Sequence, residues 1–208
     1  MITKNHIPLS KQKRIGLPIN PTSITIHSTG NDKSTAENER GWLTNPKNTR
    51  YASYHYVVGD DVIIECIPPT EVAYHCGNEQ GNFNSIGIEM VETGNRDKVI
   101  ANTIELVKHL QQEFNISNDG VLRHFDWKQT TSKGEVWYKE CPRILRGNNW
   151  KGWVDFKNKL ILHDEPSGWA IDSWTKATEL GVVDGKRPKE PMTREEVIVV
   201  LDRLGVLI

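Results

Sequence analysis

The stretch Ser23-Ile24-Thr25-Ile26-His27-Ser28-Thr29 is a short β-branched run that delivers a histidine to its own end. Ile24, Thr25 and Ile26 suit a pleated, half-buried strand, with Pro21 before them and Gly30-Asn31-Asp32 after them as breakers. An imidazole placed where a strand gives way to an open loop can bind a metal or pass a proton. It can equally be a hydrogen-bonded structural group, and its partners decide between these readings.

Working outward, Ser53-Tyr54-His55-Tyr56-Val57-Val58 and Val62-Ile63-Ile64-Glu65-Cys66-Ile67 are strand-like runs separated by the hairpin signal Gly59-Asp60-Asp61. Ser85-Ile86-Gly87-Ile88-Glu89-Met90-Val91 predicts a further strand. Val121-Leu122-Arg123-His124 repeats the opening pattern, apolar residues followed by a histidine. Between these runs, Ser34-Thr35-Ala36-Glu37 has capping-box form and predicts a helix to about Leu43, and Ile100, Ile104, Val107, Leu110 and Phe114 predict an amphipathic helix over 98–114. Residues 1–22 read as an extended, proline-punctuated arm, 73–78 as an irregular loop, and 151–162 as a closing helix. The expected domains are 1–162, a linker over 163–168, and a small helical unit over 169–208. In that unit Ala170, Ile171, Trp174, Ala177 and Leu180 have helical spacing, and Thr193-Arg194-Glu195-Glu196 caps a second helix. Two such helices bury little alone, so the unit either packs on the first domain or pairs with copies of itself as a homo-oligomer.

Composition narrows the partners. The 208 residues carry 26 Lys plus Arg against 27 Asp plus Glu, which argues against a nucleic-acid binder relying on a basic face. No stretch approaches a transmembrane span, and the N-terminus lacks the apolar core of a secretory signal, so synthesis in the cytosol without membrane insertion is the expectation. Three cysteines, Cys66, Cys76 and Cys141, have no CxxC spacing and disfavour a disulfide framework. The seven tryptophans suit either a groove or the core.

His27, His124 and Cys141 form a His, His, Cys set whose softness suits zinc better than magnesium or calcium, although their scattered spacing matches no short metal motif. Six stretches, taken in order, resemble the motifs of the zinc-dependent N-acetylmuramoyl-L-alanine amidases of type 2, a family related to peptidoglycan recognition proteins and common among phage endolysins. They are Ile24-Thr25-Ile26-His27-Ser28-Thr29, Ser53-Tyr54-His55-Tyr56-Val57-Val58, Ala73-Tyr74-His75-Cys76-Gly77, Asn84-Ser85-Ile86-Gly87-Ile88-Glu89, Leu122-Arg123-His124-Phe125-Asp126 and Lys139-Glu140-Cys141-Pro142.

The resemblance implies an α/β fold, a central mixed sheet flanked by helices, with His27, His124 and Cys141 holding one Zn2+ ion. It implies hydrolysis of the amide joining N-acetylmuramic acid to L-alanine in bacterial peptidoglycan. Glu89 takes the role of general base and later acid, Lys139 that of an oxyanion stabiliser, and Tyr54 that of a phenol near the metal. His75 and Asn84 are expected to line the substrate groove, His55 to point into the core, and Asp126 to orient an imidazole. The segment 129–136 reads as an insertion relative to many relatives, a hairpin beside the metal. The tail resembles a single S-layer homology repeat, through Trp169-Ala170-Ile171, Leu180-Gly181-Val182-Val183-Asp184-Gly185 and Met192-Thr193-Arg194-Glu195-Glu196, which implies a secondary cell-wall polymer as a further partner. An endolysin of this kind waits in the host cytoplasm until the membrane is opened. The alternatives are a non-catalytic peptidoglycan-binding module and a zinc peptidase cutting within the stem peptide.

Overall fold

The computed structural model describes residues 2–130, 133–161, 166, 168–185, 188 and 193–206. The chain divides into two compact units, Met1–Leu160 and Ile161–Ile208. In chain order the elements are β1 (Ile2–Lys4), β2 (Ser23–Ser28), α1 (Ala36–Leu43), β3 (Tyr56–Val58), β4 (Ile63–Glu65), α2 (Glu79–Asn84), β5 (Ser85–Met90), α3 (Arg96–Phe114), β6 (Val121–Arg123), β7 (Gln129–Thr130), β8 (Val136–Trp137), α4 (Lys151–Ile161), α5 (Ile171–Glu179) and α6 (Arg194–Arg203).

Six strands form one sheet in the order β1-β4-β3-β5-β2-β6. Only β3 and β4 pair antiparallel, as the Gly59-Asp60-Asp61 turn requires, and the other pairings are parallel. The sheet is therefore mixed and flanked by helices. Every residue of β2 is buried, as expected of a parallel strand covered on both faces. Alternation then sorts the side chains. Ile24 and Ile26 of β2 and their partners Ile86 and Ile88 of β5 belong to one face, in the core with α3 residues Val99, Leu106, Val107 and Leu110. Thr25 and His27, with partners Gly87 and Glu89, belong to the other. That second face carries the polar residues.

The expected elements stand with shifted ends. The α1 cap is Thr35 rather than Ser34, its side chain accepting from the Asn38 N–H. Ser34 is drawn inward instead, its carbonyl accepting from the Thr93 hydroxyl. α3 begins two residues earlier than its apolar spacing indicates, because Asn95 caps it through the Lys98 N–H, and Asn115 ends it at φ 52°. The N-terminal arm is more than a leader: β1 adds an edge strand to β4, Ile7 is buried in the core, and Arg14 grips Glu71 through two bonds of 2.7 Å.

In the second unit Thr193 and Glu196 form the expected capping box on α6. The described residues of α5 and α6 are all at least partly exposed, including Ile171, Val197, Ile198 and Val199. Apart from Pro166 and Gly168, the linker over 163–168 lies outside the described residues.

Candidate metal and catalytic site

β2 brings His27 to the penultimate position of a buried strand, in register with Glu89 on β5. β6 pairs with β2 on the other side, Ile26 opposite Arg123, and His124 follows directly in a single 3-10 turn over His124–Asp126. Cys141 arrives from the returning loop and is anchored three ways. Its carbonyl accepts from the Phe125 N–H at 3.0 Å, its own N–H donates to the Lys139 carbonyl at 2.7 Å, and its sulfur accepts from the Ser28 N–H at 3.4 Å.

These placements gather three donor atoms from distant parts of the chain. Nδ1 of His27 lies 2.9 Å from Nδ1 of His124 and 3.9 Å from Sγ of Cys141. All three residues are buried, and their ligand atoms fall within 4.8 Å of one another. The electrostatics fit a cation. Burial, with the charges of His124 and His75 adding, holds His27 neutral far below its ordinary 6.5; His124 is held at about 4, by burial first and then by the Lys139 ammonium. Burial and the Glu89 carboxylate push the Cys141 thiol up to about 12. Two neutral imidazoles and a thiol that ionises only beside a positive charge make a set that could hold a metal ion.

His27 is also held from behind. His75 lies buried with its Nδ1 3.0 Å from Nε2 of His27, and its own Nε2 is 3.1 Å from the Ser85 carbonyl. The ring occupies space that a side chain on Gly87 would fill, since a Cβ there would come 2.5 Å from Cγ of His75. His75 thus sits buried beneath His27. His55 lies deeper on the same side, as expected, between the Gly87 N–H and the Glu71 carbonyl.

Glu89 is the polar group without an answer. Its Oε2 is sealed from solvent and has no hydrogen-bond partner among the described residues. Burial pushes this carboxyl up to about 8, against the pull of Lys139. Lys139 itself is exposed, two residues before Cys141, and its charge reaches His27, His124, Cys141 and Glu89 alike.

The other expected residues are placed differently. Tyr54 is buried, and its hydroxyl donates to the Glu39 carbonyl at 2.8 Å, so that hydrogen is taken up by α1. Asn84 stands at the opposite end of β5 from Glu89, about 16 Å along an extended strand, where its amide bonds the Gln80 carbonyl. It does not join the cluster. Asp126 orients no imidazole; its carboxylate is gripped by the Arg123 guanidinium and backbone N–H.

Residues without a motif complete the site. Gln129, on the expected hairpin of β7 and β8, lies 2.7 Å from Nε2 of His124. Asn82 accepts from the His75 and Cys76 N–H groups at 2.9 Å each and holds that loop in place. Glu92 receives Arg143 at 2.6 Å and the Gly30 N–H at 2.9 Å, tying the Cys141 loop to the end of β2. Arg143 also borders an open groove of about 980 Å³ with Phe125, Glu140, Arg146 and Trp150.

Both the sequence and the fold have counterparts among known proteins. Residues 17–143 match the family model Amidase_2, described as N-acetylmuramoyl-L-alanine amidase. Among curated proteins, CwlH of Bacillus subtilis (strain 168), an N-acetylmuramoyl-L-alanine amidase, is 33% identical over 79% of this chain and 63% of its own length. XlyA of the same strain, also an N-acetylmuramoyl-L-alanine amidase, is 35% identical over 75% of this chain and 50% of its own. The chain therefore spans between half and two thirds of these relatives. The catalytic domain of XlyA superposes with a TM-score of 0.66 at 34% identity, covering 77% of this chain and 99% of that domain. On this likeness of sequence and fold, the chain belongs to the Amidase_2 family of N-acetylmuramoyl-L-alanine amidases.

Proposed function

We propose that this chain hydrolyses the amide between the lactyl group of N-acetylmuramic acid and L-alanine in peptidoglycan, with one zinc ion held by His27, His124 and Cys141. The observation that carries the reading is the pairing of the Nδ1, Nδ1, Sγ donor set with Glu89 on the adjacent strand, whose Oε2 has no hydrogen-bond partner among the described residues. Two imidazoles and a thiolate suit zinc, which when bound supplies Lewis-acid polarisation of the scissile carbonyl and an activated water near neutral pH.

The chain's own residues do the rest. Glu89 Oε2 accepts the proton of the attacking water and returns it to the departing amine. With Oε2 sealed from solvent, this carboxyl keeps a high proton affinity, which suits a group that must take a proton and then release it. Positive charge at the His27, His124, Cys141 cluster acts in the same direction as Lys139 and favours the carboxylate form before reaction. Lys139, free to reorient on its exposed loop, stabilises the developing oxyanion. Tyr54 acts through Glu39, holding α1 beside the site. The groove bordered by Arg143 and Trp150 is open enough to receive a glycopeptide strand. The helical unit is assigned to wall attachment, with a secondary cell-wall polymer as its partner and self-association through the exposed apolar residues of α5 and α6.

Digestion of purified Gram-positive walls tests the activity. New L-alanine amino termini should appear, and should vanish with chelator and in Cys141→Ser. New termini on other residues would indicate a stem-peptide peptidase, and binding without hydrolysis would indicate a recognition module.

A further inference from the structure

We propose that Gln129 is a positioning residue for His124, so that the β7 and β8 hairpin is a working part of the metal site. The inference rests on the metal-site reading above. His124 turns Nδ1 toward His27, which leaves Nε2 facing away from the metal position, 2.7 Å from the Gln129 amide. Gln129 is itself buried, at 6% exposure. The amide packs against Gly77, and the chain leading into it is held at two further points. Gly77, at φ +69°, lies so close that a Cβ there would come 2.8 Å from Cδ and Oε1 of Gln129. The Asn78 side chain donates to the Lys128 carbonyl at 2.8 Å, and the Trp127 indole N–H donates to Thr25 Oγ1 at 2.9 Å. The residues just before Gln129 are therefore tied to the loop carrying His75 and to β2, the strand carrying His27.

The protons along this line can be placed. The Ser85 carbonyl can only accept, so His75 carries its proton on Nε2 and offers Nδ1 as an acceptor. His27 then donates from Nε2 and keeps its Nδ1 lone pair facing inward. Without a metal, His124 satisfies that lone pair by donating from its own Nδ1, and its Nε2 accepts from the Gln129 amide nitrogen. The series Gln129, His124, His27, His75, Ser85 then runs with one donor direction throughout. A metal ion needs both Nδ1 lone pairs, so on loading the His124 proton must sit on Nε2. Gln129 accommodates this by a half-turn of its terminal amide, presenting Oε1 in place of Nε2. The Cys76 carbonyl, which also lies against this ring, is a second acceptor. A glutamine serves both states because it carries a donor and an acceptor on one group.

The test is zinc affinity, measured by chelator competition on the full chain, with imidazole 15N–1H NMR to locate the His124 proton. Gln129→Met, which has neither hydrogen-bonding group of useful strength, should weaken zinc binding by about 10- to 100-fold. Gln129→Glu, an acceptor suited to the loaded state, should stay within a few fold of the parent. In the parent, the His124 proton should move from Nδ1 to Nε2 on zinc addition. Parent-like zinc affinity in Gln129→Met overturns the inference. If Gln129→Met does not fold, a tenfold loss in folded Gln129→Glu overturns it equally, and parent-like binding there supports it. His124→Ala separates the two layers: parent-like zinc binding in that variant means the metal-site reading itself has failed, whereas loss there with parent-like binding in Gln129→Met discards only the role of Gln129.

Discussion

Glu89 and His27 face each other across adjacent parallel strands, and they are provided for very differently. His27 has both ring nitrogens engaged, by His124 and His75, whereas Oε2 of Glu89 has no hydrogen-bond partner among the described residues. A buried carboxylate oxygen left in this way costs stability, and its place beside His27 is the ground on which Glu89 is proposed as the general base.

Glu89→Gln should therefore lower wall hydrolysis by about 10²- to 10⁴-fold, the range for removing a positioned acid-base group. Zinc binding should remain, because Glu89 is not in the donor set. Turnover within tenfold of the parent, at matched zinc occupancy, would remove Glu89 from the mechanism.

Gly87→Ala addresses the ground on which His27 stands. The added methyl would lie 2.5 Å from Cγ of His75, whose ring is locked between His27 and Ser85 and cannot swing away. Overpacking of this kind costs about 1–3 kcal/mol, and zinc affinity should fall along with stability because the displaced ring is the one that orients His27. Urea unfolding read alongside zinc titration checks both; a variant with parent stability would show that the pocket around His75 is slack.

The sheet and the gathering of His27, His124 and Cys141 were legible in the chain for a common physical reason. β-branched runs ending in His27 and His124 combine strand propensity with a ligand, and Cys141 sits in a short polar motif. What was not legible depends on register and side-chain reach. Asn84 shares a motif with Glu89, yet an extended strand carries the two to opposite ends of β5. His75 reads as a loop residue, and only the missing side chain at Gly87 makes room for it under His27. Gln129 lies in the segment read as a hairpin beside the metal, yet nothing there marked this side chain as the one that reaches His124. The α1 boundary moved by a residue because Ser34 and Thr35 are both good caps, and burial of Ser34 decided between them.

The metal-free protein should be most stable near pH 6.5. His27, His55, His75 and His124 are all held below 6.5 chiefly by burial, His55 and His124 at about 4, so between those values the unfolded chain binds protons that the folded chain does not. Their contribution is present above 6.5 and is lost as pH falls toward 4. Glu89 acts in the opposite sense: raised from 4.5 to about 8, it keeps in the folded state a proton that the unfolded chain has shed, and stability is lost as pH rises through that window. Each group changes stability by at most about 1.4 kcal/mol per pH unit. From 4.5 to 6.5 the imidazoles outnumber the carboxyl; above 6.5 the carboxyl acts alone among these five. Urea unfolding in chelator at pH 4.5, 6.5 and 8 should show a maximum at the middle value, and Glu89→Gln should abolish the decline toward 8. A decline unchanged in that variant would contradict the assignment of Glu89. Saturating zinc, at about a thousand times its dissociation constant, should add about 4 kcal/mol at pH 7.

Arg123 supports His124 from the neighbouring position, and lysine should not replace it. Its guanidinium lies 4.4 Å from the centre of the Trp150 ring and 5.0 Å from that of Phe125, while Nε and Nη2 grip Asp126. Trp150 adopts φ 62°, an unfavourable conformation for a bulky residue, and its packing on Arg123 helps to hold it there. A lysine keeps the charge but can neither stack as a plane nor fork onto a carboxylate. Arg123→Lys should therefore destabilise the catalytic unit by about 1–2 kcal/mol, with the Trp150 fluorescence environment altered. Because the turn that presents His124 is closed by Asp126 on the Arg123 backbone N–H, which lysine retains, zinc affinity should change much less than stability. A variant that keeps its stability but loses zinc would reverse this ordering and place Arg123 in the metal site itself.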